Sequence, residues 1–365
     1  MIKNYIKVAL RNLKNNKNHS LINITGLSIA LACSLLIFLY ISHQLSYDRF
    51  HKNSNRIYRA VKELESSSHG SAITPNPLGP ALKENFPEIE NTVRICGGGS
   101  GKKTVSISEN HFLEDNFFLI DSSFLDVFSF PLLKGDPQTA LRDPWSVVIT
   151  EQAAQKYFGN KEPLGKTLVY ENKYNFLVTG ILKDLPDNSH FKSDIFASIK
   201  CADDLYWDGF LNDWTQSSVH NYILLKKGVN PQEFEKKLTN YLKNRLTSTS
   251  NGGNAAPIKI HLQPLTRIHL HSHYFAELEK NSDVRFVYFY SLIGIIILLI
   301  ACFNFMNIST ASASSRYIEV GMRKVIGANR KQLIGQFLSE SIILSFMSLI
   351  IALLIAQLFL PLFSH

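Results

Sequence analysis

The chain has 365 residues, room for two to three domains at roughly 100–200 residues each. Its hydrophobic fraction of 45% is ordinary, yet much of it is gathered into three charge-free stretches, Leu21–Ser42, Phe286–Ser315 and Ser341–His365. Each holds about 20 helix-compatible residues, enough at ~1.5 Å per residue to cross a ~30 Å hydrocarbon core, which excludes a soluble cytosolic enzyme, a secreted disulfide-stapled domain and a disordered tail.

The net charge of +8 lies beside those stretches. Lys3, Lys7, Arg11, Lys14 and Lys17 precede the first, and Arg316, Arg323, Lys324, Arg330 and Lys331 separate the second from the third. The long middle section is left neutral. Basic residues placed this way follow the positive-inside rule and leave no groove for nucleic acid. They predict a cytoplasmic N-terminus in a bacterial plasma (inner) membrane, with residues 43–285 extracytoplasmic. The predicted fold class is an α-helical membrane protein with three transmembrane helices and a large extracytoplasmic α+β domain.

In chain order, residues 1–20 read as an amphipathic helix on the inner leaflet, with Ile2, Tyr5, Ile6, Ala9, Leu10 and Leu13 opposite the lysines. Residues 21–42 form the first transmembrane helix. Its apolar run continues through Ser34–Ile41, past any cleavage point near Cys33, so it reads as a retained helix and not a signal peptide. Gly26, Ala30 and Ser34 make a stripe of small residues that predicts close helix packing. The second transmembrane helix covers 286–310 and the third 339–363, which carries Ser341, Ser345, Ser348, Ala352 and Ala356. Asn304 and Asn307 read as interhelical hydrogen-bonding groups in preference to a polar transport path. Tyr40, Phe286, Tyr288, Tyr290 and Phe359 suit interfacial anchoring.

Within 43–285, period-2 and β-branched runs predict strands at Arg56–Lys62, Thr92–Cys96, Thr104–Ile107, Ser146–Thr150, Phe176–Leu182, Asn221–Leu225 and Ile258–Leu262. Helices are predicted at Leu78–Asn85, Ser123–Phe128, Glu151–Phe158 and Gln232–Arg245. Two strand–helix–strand units flank the middle. They predict a porter-like part from about 50–129 and 218–268, with a subdomain of about 130–217 inserted into it.

Three local patterns invite chemistry. Cys96-Gly97-Gly98-Gly99-Ser100-Gly101-Lys102-Lys103-Thr104 resembles a phosphate loop, but Cys96 stands where the first Gly is required and Lys103 where the hydroxyl is required. It joins two predicted strands and reads as a hairpin loop. His269, His271 and His273 alternate, with His261 nearby; they read as polar surface near the membrane in preference to a metal site. Cys96 and Cys201 both lie in the extracytoplasmic section, where a disulfide is permitted but not required. Nothing indicates catalysis, a metal or a cofactor site in this chain.

The inner loop, 311–338, contains Ser315-Arg316-Tyr317-Ile318-Glu319-Val320-Gly321-Met322-Arg323-Lys324-Val325-Ile326-Gly327-Ala328. Ile318, Met322, Val325 and Ile326 can share a helical face. Such a helix either lies on lipid or docks into a groove on a soluble partner.

This segment resembles the signature of the MacB/FtsX-like permeases of ABC transporters, carried here by Glu319, Val320, Gly321, Arg323, Gly327 and Ala328. Lys7–Leu13 with Asn23-Ile24-Thr25-Gly26-Leu27, Tyr47-Asp48-Arg49-Phe50-His51, Val148-Ile149-Thr150, Lys156-Tyr157-Phe158-Gly159 and Ala301–Asn307 are similar to further parts of that family, in the same order. The resemblance implies a long-ectodomain branch with a MacB-type periplasmic core domain. It implies that Arg316, Glu319, Val320, Gly321, Arg323, Lys324, Gly327 and Ala328 form a coupling helix on a separate cytoplasmic ABC subunit, which binds the ATP. It further implies mechanotransmission to the outer domain for efflux or extraction of an extracytoplasmic substrate. Partners would be a second permease half or protomer, membrane lipid and a periplasmic adaptor. Halves of this family carry four membrane helices against three here, so the resemblance implies either a piece of a longer permease or a fourth helix and second half supplied by another polypeptide. The competing expectation is a membrane-anchored sensor or scaffold regulating a cell-wall enzyme or signalling partner.

Overall fold

The computed structural model describes residues 11, 17–63, 70–97, 102–249, 259–314, 321–322, 325 and 330–362. It divides into two compact units, one containing the long apolar helices and the other a sheet domain spanning Leu45–Asp283. The amphipathic helix expected over 1–20 lies outside the described residues except for Arg11 and 17–20.

The three apolar helices run Lys17–Leu45, Val284–Ser314 and Arg330–Phe359; the first two exceed the predicted spans at both ends, and the third begins and ends earlier than predicted. Within them, Ser20–Leu45, Val284–Ala311 and Phe337–Phe359 are long and apolar enough to cross a membrane. Large apolar side chains such as Leu21, Phe38, Leu292, Ile300, Ile342 and Leu354 are exposed, as helices solvated by lipid require. The small residues turn inward instead: Ala30, Ser348, Ala352 and Ala356 are buried. A Cβ on Gly26 would come 3.4 Å from Asn304 Nδ2, and one on Gly294 would come 3.4 Å from Ile37 Cγ2. The first and second helices therefore meet across glycines, and Tyr40 and Tyr290 pack edge to face along the same pair, 5.3 Å between centroids.

The sheet domain carries β1 (Ile57–Glu63), β2 (Thr74–Pro75), β3 (Ile89–Cys96), β4 (Lys103–Ile107), β5 (Asn110–Glu114), β6 (Phe118–Ile120), β7 (Leu132–Lys134), β8 (Ser146–Thr150), β9 (Thr167–Tyr170), β10 (Tyr174–Leu182), β11 (Ile195–Ser198), β12 (Ser217–Leu225) and β13 (Lys259–Pro264). Its short helices are α1 (Leu78–Asn85), α2 (Phe124–Val127), α3 (Glu151–Phe158), α4 (Ala202–Leu205), α5 (Pro231–Thr249) and α6 (Ile268–His271). One sheet orders them β13-β1-β12-β3-β6-β11-β8-β10-β9-β4-β5, with β2 on β12 and β7 on β10.

The first four strands of that order, with α1 and α5, reproduce the split β-α-β-β-α-β arrangement, all antiparallel. Central β12 is buried on both faces, so its alternation sorts into two cores. Ile223 and Leu225 meet Phe234 and Leu238 of α5 and Leu78 and Leu82 of α1, while Tyr222 and Leu224 join a cluster of Phe118, Phe124, Phe128, Phe130, Phe191 and Phe196. A third core, around Val147, Ile149, Ala153, Tyr157, Leu168, Phe176 and Val178, fills the other half of the sheet. There Thr150 caps α3, accepting from the Ala153 N–H at 3.2 Å.

β6 joins the halves, pairing antiparallel with β3 and parallel with β11. The β4–β5 hairpin, grouped by sequence with the 50–129 part, is bonded instead to β9. The segment from Cys96 to Lys103 is consequently a crossing between two parts of the sheet and not a hairpin loop, because β3 and β4 are not neighbours. Gly97 makes the crossing possible: a Cβ there would lie 2.7 Å from the Phe117 carbonyl oxygen, and its φ is +140°. Residues 98–101 of this stretch lie outside the described residues.

Candidate functional site

Of the residues expected to form the coupling helix, Gly321 lies among those described. It is helical and exposed, and a Cβ there would meet nothing within 4 Å. Met322 and Val325 beside it are helical and 58% and 89% exposed. Arg316, Glu319, Val320, Arg323, Lys324, Gly327 and Ala328 lie outside the described residues.

The sheet domain holds a second, unpredicted constellation. The sheet register sets Arg59 opposite Tyr222 on one side and opposite Gln263 on the other. Cross-strand partners share a face, so the three form a row, and the Arg59 side chain is 0% exposed there. Its guanidinium donates from Nη1 to Glu277 Oε2 at 2.5 Å and from Nη2 to Glu277 Oε1 at 3.0 Å, Gln263 Oε1 at 2.7 Å and Ser272 Oγ at 2.9 Å. This is the planar fork that arginine, and not lysine, can offer a buried carboxylate. Burial opposes the Arg59 charge, but Tyr222 and Glu277 outweigh it and raise its pKa. Burial likewise opposes the Glu277 carboxylate, and the bonds from Arg59 hold it below the ordinary value.

The row continues beyond Tyr222. The Tyr222 hydroxyl lies 2.8 Å from His190 Nε2, and His190 Nδ1 lies 2.9 Å from Asp48 Oδ1. Asp48 is fully buried, has a φ of +56°, donates its N–H to the Asn188 carbonyl and accepts from the His190 N–H at 3.1 Å. Asn188 Nδ2 in turn donates to Ser46 Oγ at 2.9 Å, and the Tyr47 ring stacks on His269 at 3.4 Å between centroids. His51 accepts from the Ser129 N–H at 3.1 Å, and burial lowers its pKa to about 4. Asp48 follows the end of the first apolar helix at Leu45, and Glu277 precedes the start of the second at Val284. One buried polar row thus ties together the two points where the sheet domain's chain begins and ends.

The sequence offered a usable signal for this row. Arg59 interrupts an apolar strand at a position whose neighbours Ile57 and Val61 point inward. The alternating histidines, read as polar surface in preference to a metal site, do not share one face of a strand. His269 and His271 fall on the single turn of α6; His269 is buried, His271 exposed, and His273 lies 3.4 Å from Asp283. Among the described residues no group of three or more His, Cys, Asp or Glu side chains is placed to hold a metal. Cys96 and Cys201 are both buried free thiols, pushed up to about 11 and about 12 by burial.

Comparison with known proteins agrees with this architecture. The MacB-like periplasmic core domain matches residues 20–241, and the FtsX-like permease C-terminal domain matches residues 291–365. A macrolide export ATP-binding/permease protein MacB of Neisseria meningitidis is 26% identical over 64% of this chain and 34% of its own length. A pyoverdine export ATP-binding/permease protein PvdT of Pseudomonas syringae is 23% identical over 93% of this chain and 49% of its own length. The chain therefore spans from a third to a half of the length of these curated relatives. The crystal structure of the periplasmic region of MacB from Actinobacillus actinomycetemcomitans superposes with a TM-score of 0.42 at 18% identity, covering 59% of this chain and 91% of that one. With three apolar helices, a split-βαβ sheet domain and matches to both the core domain and the permease C-terminal domain, the chain belongs to the MacB/FtsX-like family of ABC transporter permeases.

Proposed function

We propose that this chain is the permease subunit of an ABC transporter. In this reading a separate cytoplasmic subunit binds and hydrolyses ATP, and the chain converts that cycle into movement of its extracytoplasmic domain. The N-terminus is cytoplasmic in a bacterial inner membrane, and a second permease half or protomer completes the assembly, with a periplasmic adaptor as a further partner. The substrate is extracytoplasmic and is extracted or expelled without crossing this membrane through the chain.

The observation that supports mechanotransmission best is the buried row Asp48–His190–Tyr222–Arg59–Glu277. A sheet domain moved by its two membrane helices needs a stiff attachment where they join it, or their displacement would dissipate in local bending. Charge-assisted bonds that are buried and geometrically fixed supply that stiffness. The second support is on the other unit. Gly321, Met322 and Val325 offer a helical, solvent-facing apolar surface, which a docking partner would cover.

The test is purification of the native-length protein in detergent, with mass spectrometry of co-eluting chains. An ATP-binding subunit retained by the wild type and lost in Gly321→Leu is the expected result; among the described residues a Cβ at Gly321 meets nothing within 4 Å, and circular dichroism checks that the variant folds. If no ATPase co-elutes even with nucleotide trapped, the helix rests on lipid, and a membrane-anchored sensor or scaffold becomes the better account.

A further inference from the structure

The sheet ends on two strands that are finished in different ways. β13, at one end, is closed off from within the chain: its Leu262 N–H donates to Glu235 Oε2 of α5 at 3.0 Å, and the strand ends on Pro264. β5, at the other end, pairs among the described residues with β4 alone. An open strand edge is a template for another strand unless charge, proline or a covering element blocks it.

The turn between β4 and β5 fixes which backbone groups are open. Ile107 and Asn110 flank a two-residue turn at Ser108 and Glu109, so they form a hydrogen-bonded pair. Alternation along the ladder makes Val105–Phe112 a second bonded pair, and Ser106–His111 and Thr104–Leu113 non-bonded pairs. The N–H and C=O of His111 and Leu113 therefore point away from β4, along the free edge. The side chains of these two share the outer face, opposite the one on which Phe112 packs on the core and Glu114 is buried. Leu113 is 63% exposed there. Ser106 Oγ holds the His111 ring at Nδ1, 2.6 Å away, and the exposed Asp115 side chain lies 3.7 Å from Lys102 Nζ.

A second copy of β5 is a self-complementary occupant of this edge. Antiparallel pairing has to set His111 and Leu113 against groups that also point outward, which leaves three symmetric registers. Centred on His111, it sets the exposed Leu113 against Glu109 of the other copy. Centred on Phe112, it sets Asp115 against Glu109, two like charges. Centred on Leu113, the two leucines cover each other and each His111 lies opposite Asp115 of the other copy. Of the three, this last one joins apolar to apolar and imidazole to carboxylate.

We propose that the β5 edge is a self-association surface, on which two copies of this chain pair antiparallel about Leu113 and continue one sheet into the other. The inference does not rest on the permease reading, because strand pairing between outer domains needs neither ATP nor a cytoplasmic subunit.

The experiment is copper-phenanthroline cross-linking of the full chain in lipid nanodiscs, with Cys33 and Cys302 replaced by alanine and circular dichroism to confirm folding. Leu113→Cys should give a disulfide-linked dimer, because bonded partners across two strands lie ~5.5 Å apart between Cα atoms, within disulfide reach. His111→Cys and Asp115→Cys should each stay unlinked alone, each being roughly 13 Å from its own equivalent, and should link when the two are reconstituted together. Adding Asp115→Lys to Leu113→Cys should slow the linking about fivefold, through loss of the cross-strand charge pairs. Leu133→Cys, half exposed on β7, is the control for random collision. Linking at Leu113→Cys no faster than at Leu133→Cys, or a mixture of His111→Cys and Asp115→Cys that does not link, overturns the proposal. So does linking of Leu113→Cys to a different protein, identified by mass spectrometry, which assigns the edge to a foreign strand. Dimers that form without a Leu113→Cys link overturn the strand pairing and leave the permease reading standing; a link without any co-eluting ATPase does the reverse.

Discussion

The two halves of the sheet are built on opposite plans. The half around β8, β10 and β9 has an apolar core of Val147, Ile149, Leu168, Phe176 and Val178; its Lys134–Glu162 pair is out in solvent, and its Lys156–Glu114 pair keeps the lysine half exposed. The half around β13, β1, β12 and β3 buries Arg59, Asp48, His190 and His220 beside its aromatic cluster. An apolar core is the simpler way to gain stability, and replacing buried ion pairs by hydrophobes is often neutral or stabilising. The polar half therefore gives up stability for directional bonds, and it does so in the half that receives both connections to the membrane helices.

The largest effect that would break this comparison comes from Arg59→Met. It leaves Glu277 buried and unpaired, and should cost about 3–5 kcal/mol. Thermal unfolding followed by tryptophan fluorescence reads it directly, since Trp145, Trp207 and Trp214 all lie in the sheet domain. Adding Glu277→Met should recover much of the loss; no recovery would mean that Arg59 acts through packing alone.

Acid comes next. His51 and His220 are held neutral, each at about 4 against an ordinary 6.5. The unfolded chain binds those protons and the folded one does not, so their stabilising contribution is complete above pH 6.5 and falls as pH drops toward 4. Each proton is worth roughly 1.4 kcal/mol per pH unit within that window. Glu277, whose pKa is lowered, adds its own loss only below its unfolded value near 4.5. Denaturant midpoints at pH 7, 6 and 5 should therefore fall steadily, and a flat series would contradict the neutral assignment.

In the apolar half, Ile149→Val should cost about 1 kcal/mol, the usual value for one buried methyl group, with no pH dependence of its own. Lys134→Ala sits at the bottom of the scale. Its pair with Glu162 is 49% and 57% exposed, and the melting temperature should not move measurably.

Much of this was readable beforehand, and the failures have physical causes. Ser146–Thr150, Leu78–Asn85 and Glu151–Phe158 coincide with β8, α1 and α3, because alternation, capping and helical spacing are local properties. Two of the strands that went unread, β6 and β11, are three and four residues long and buried on both faces, so they show no period. The boundary near residue 130 rests on the order of local strand–helix–strand units, whereas β4 and β5 join β9 through pairing that no local pattern encodes. The polar row is the clearest case. Arg59, His190, Tyr222 and Glu277 are scattered along the sequence, and only register brings them together. Gly321 is singled out by motif alone, and among the described residues a Cβ there would meet nothing within 4 Å.

The pairing of β1 has a consequence for biosynthesis. Ile57 bonds opposite Leu224, and Glu63 opposite Lys259, so both edges of β1 are completed by strands made much later. Emerging behind the first apolar helix, β1 has only a local bridge from Lys62 to Ser71 until β12 and β13 have also left the ribosome. The split-βαβ half thus closes last, around a strand that was synthesised first. Such non-local pairing folds slowly and leaves unpaired strand edges exposed meanwhile. The nascent domain is therefore most open to chaperones and proteases before residue 264 is translocated, which ties the maturation of the outer domain to the arrival of the second membrane helix.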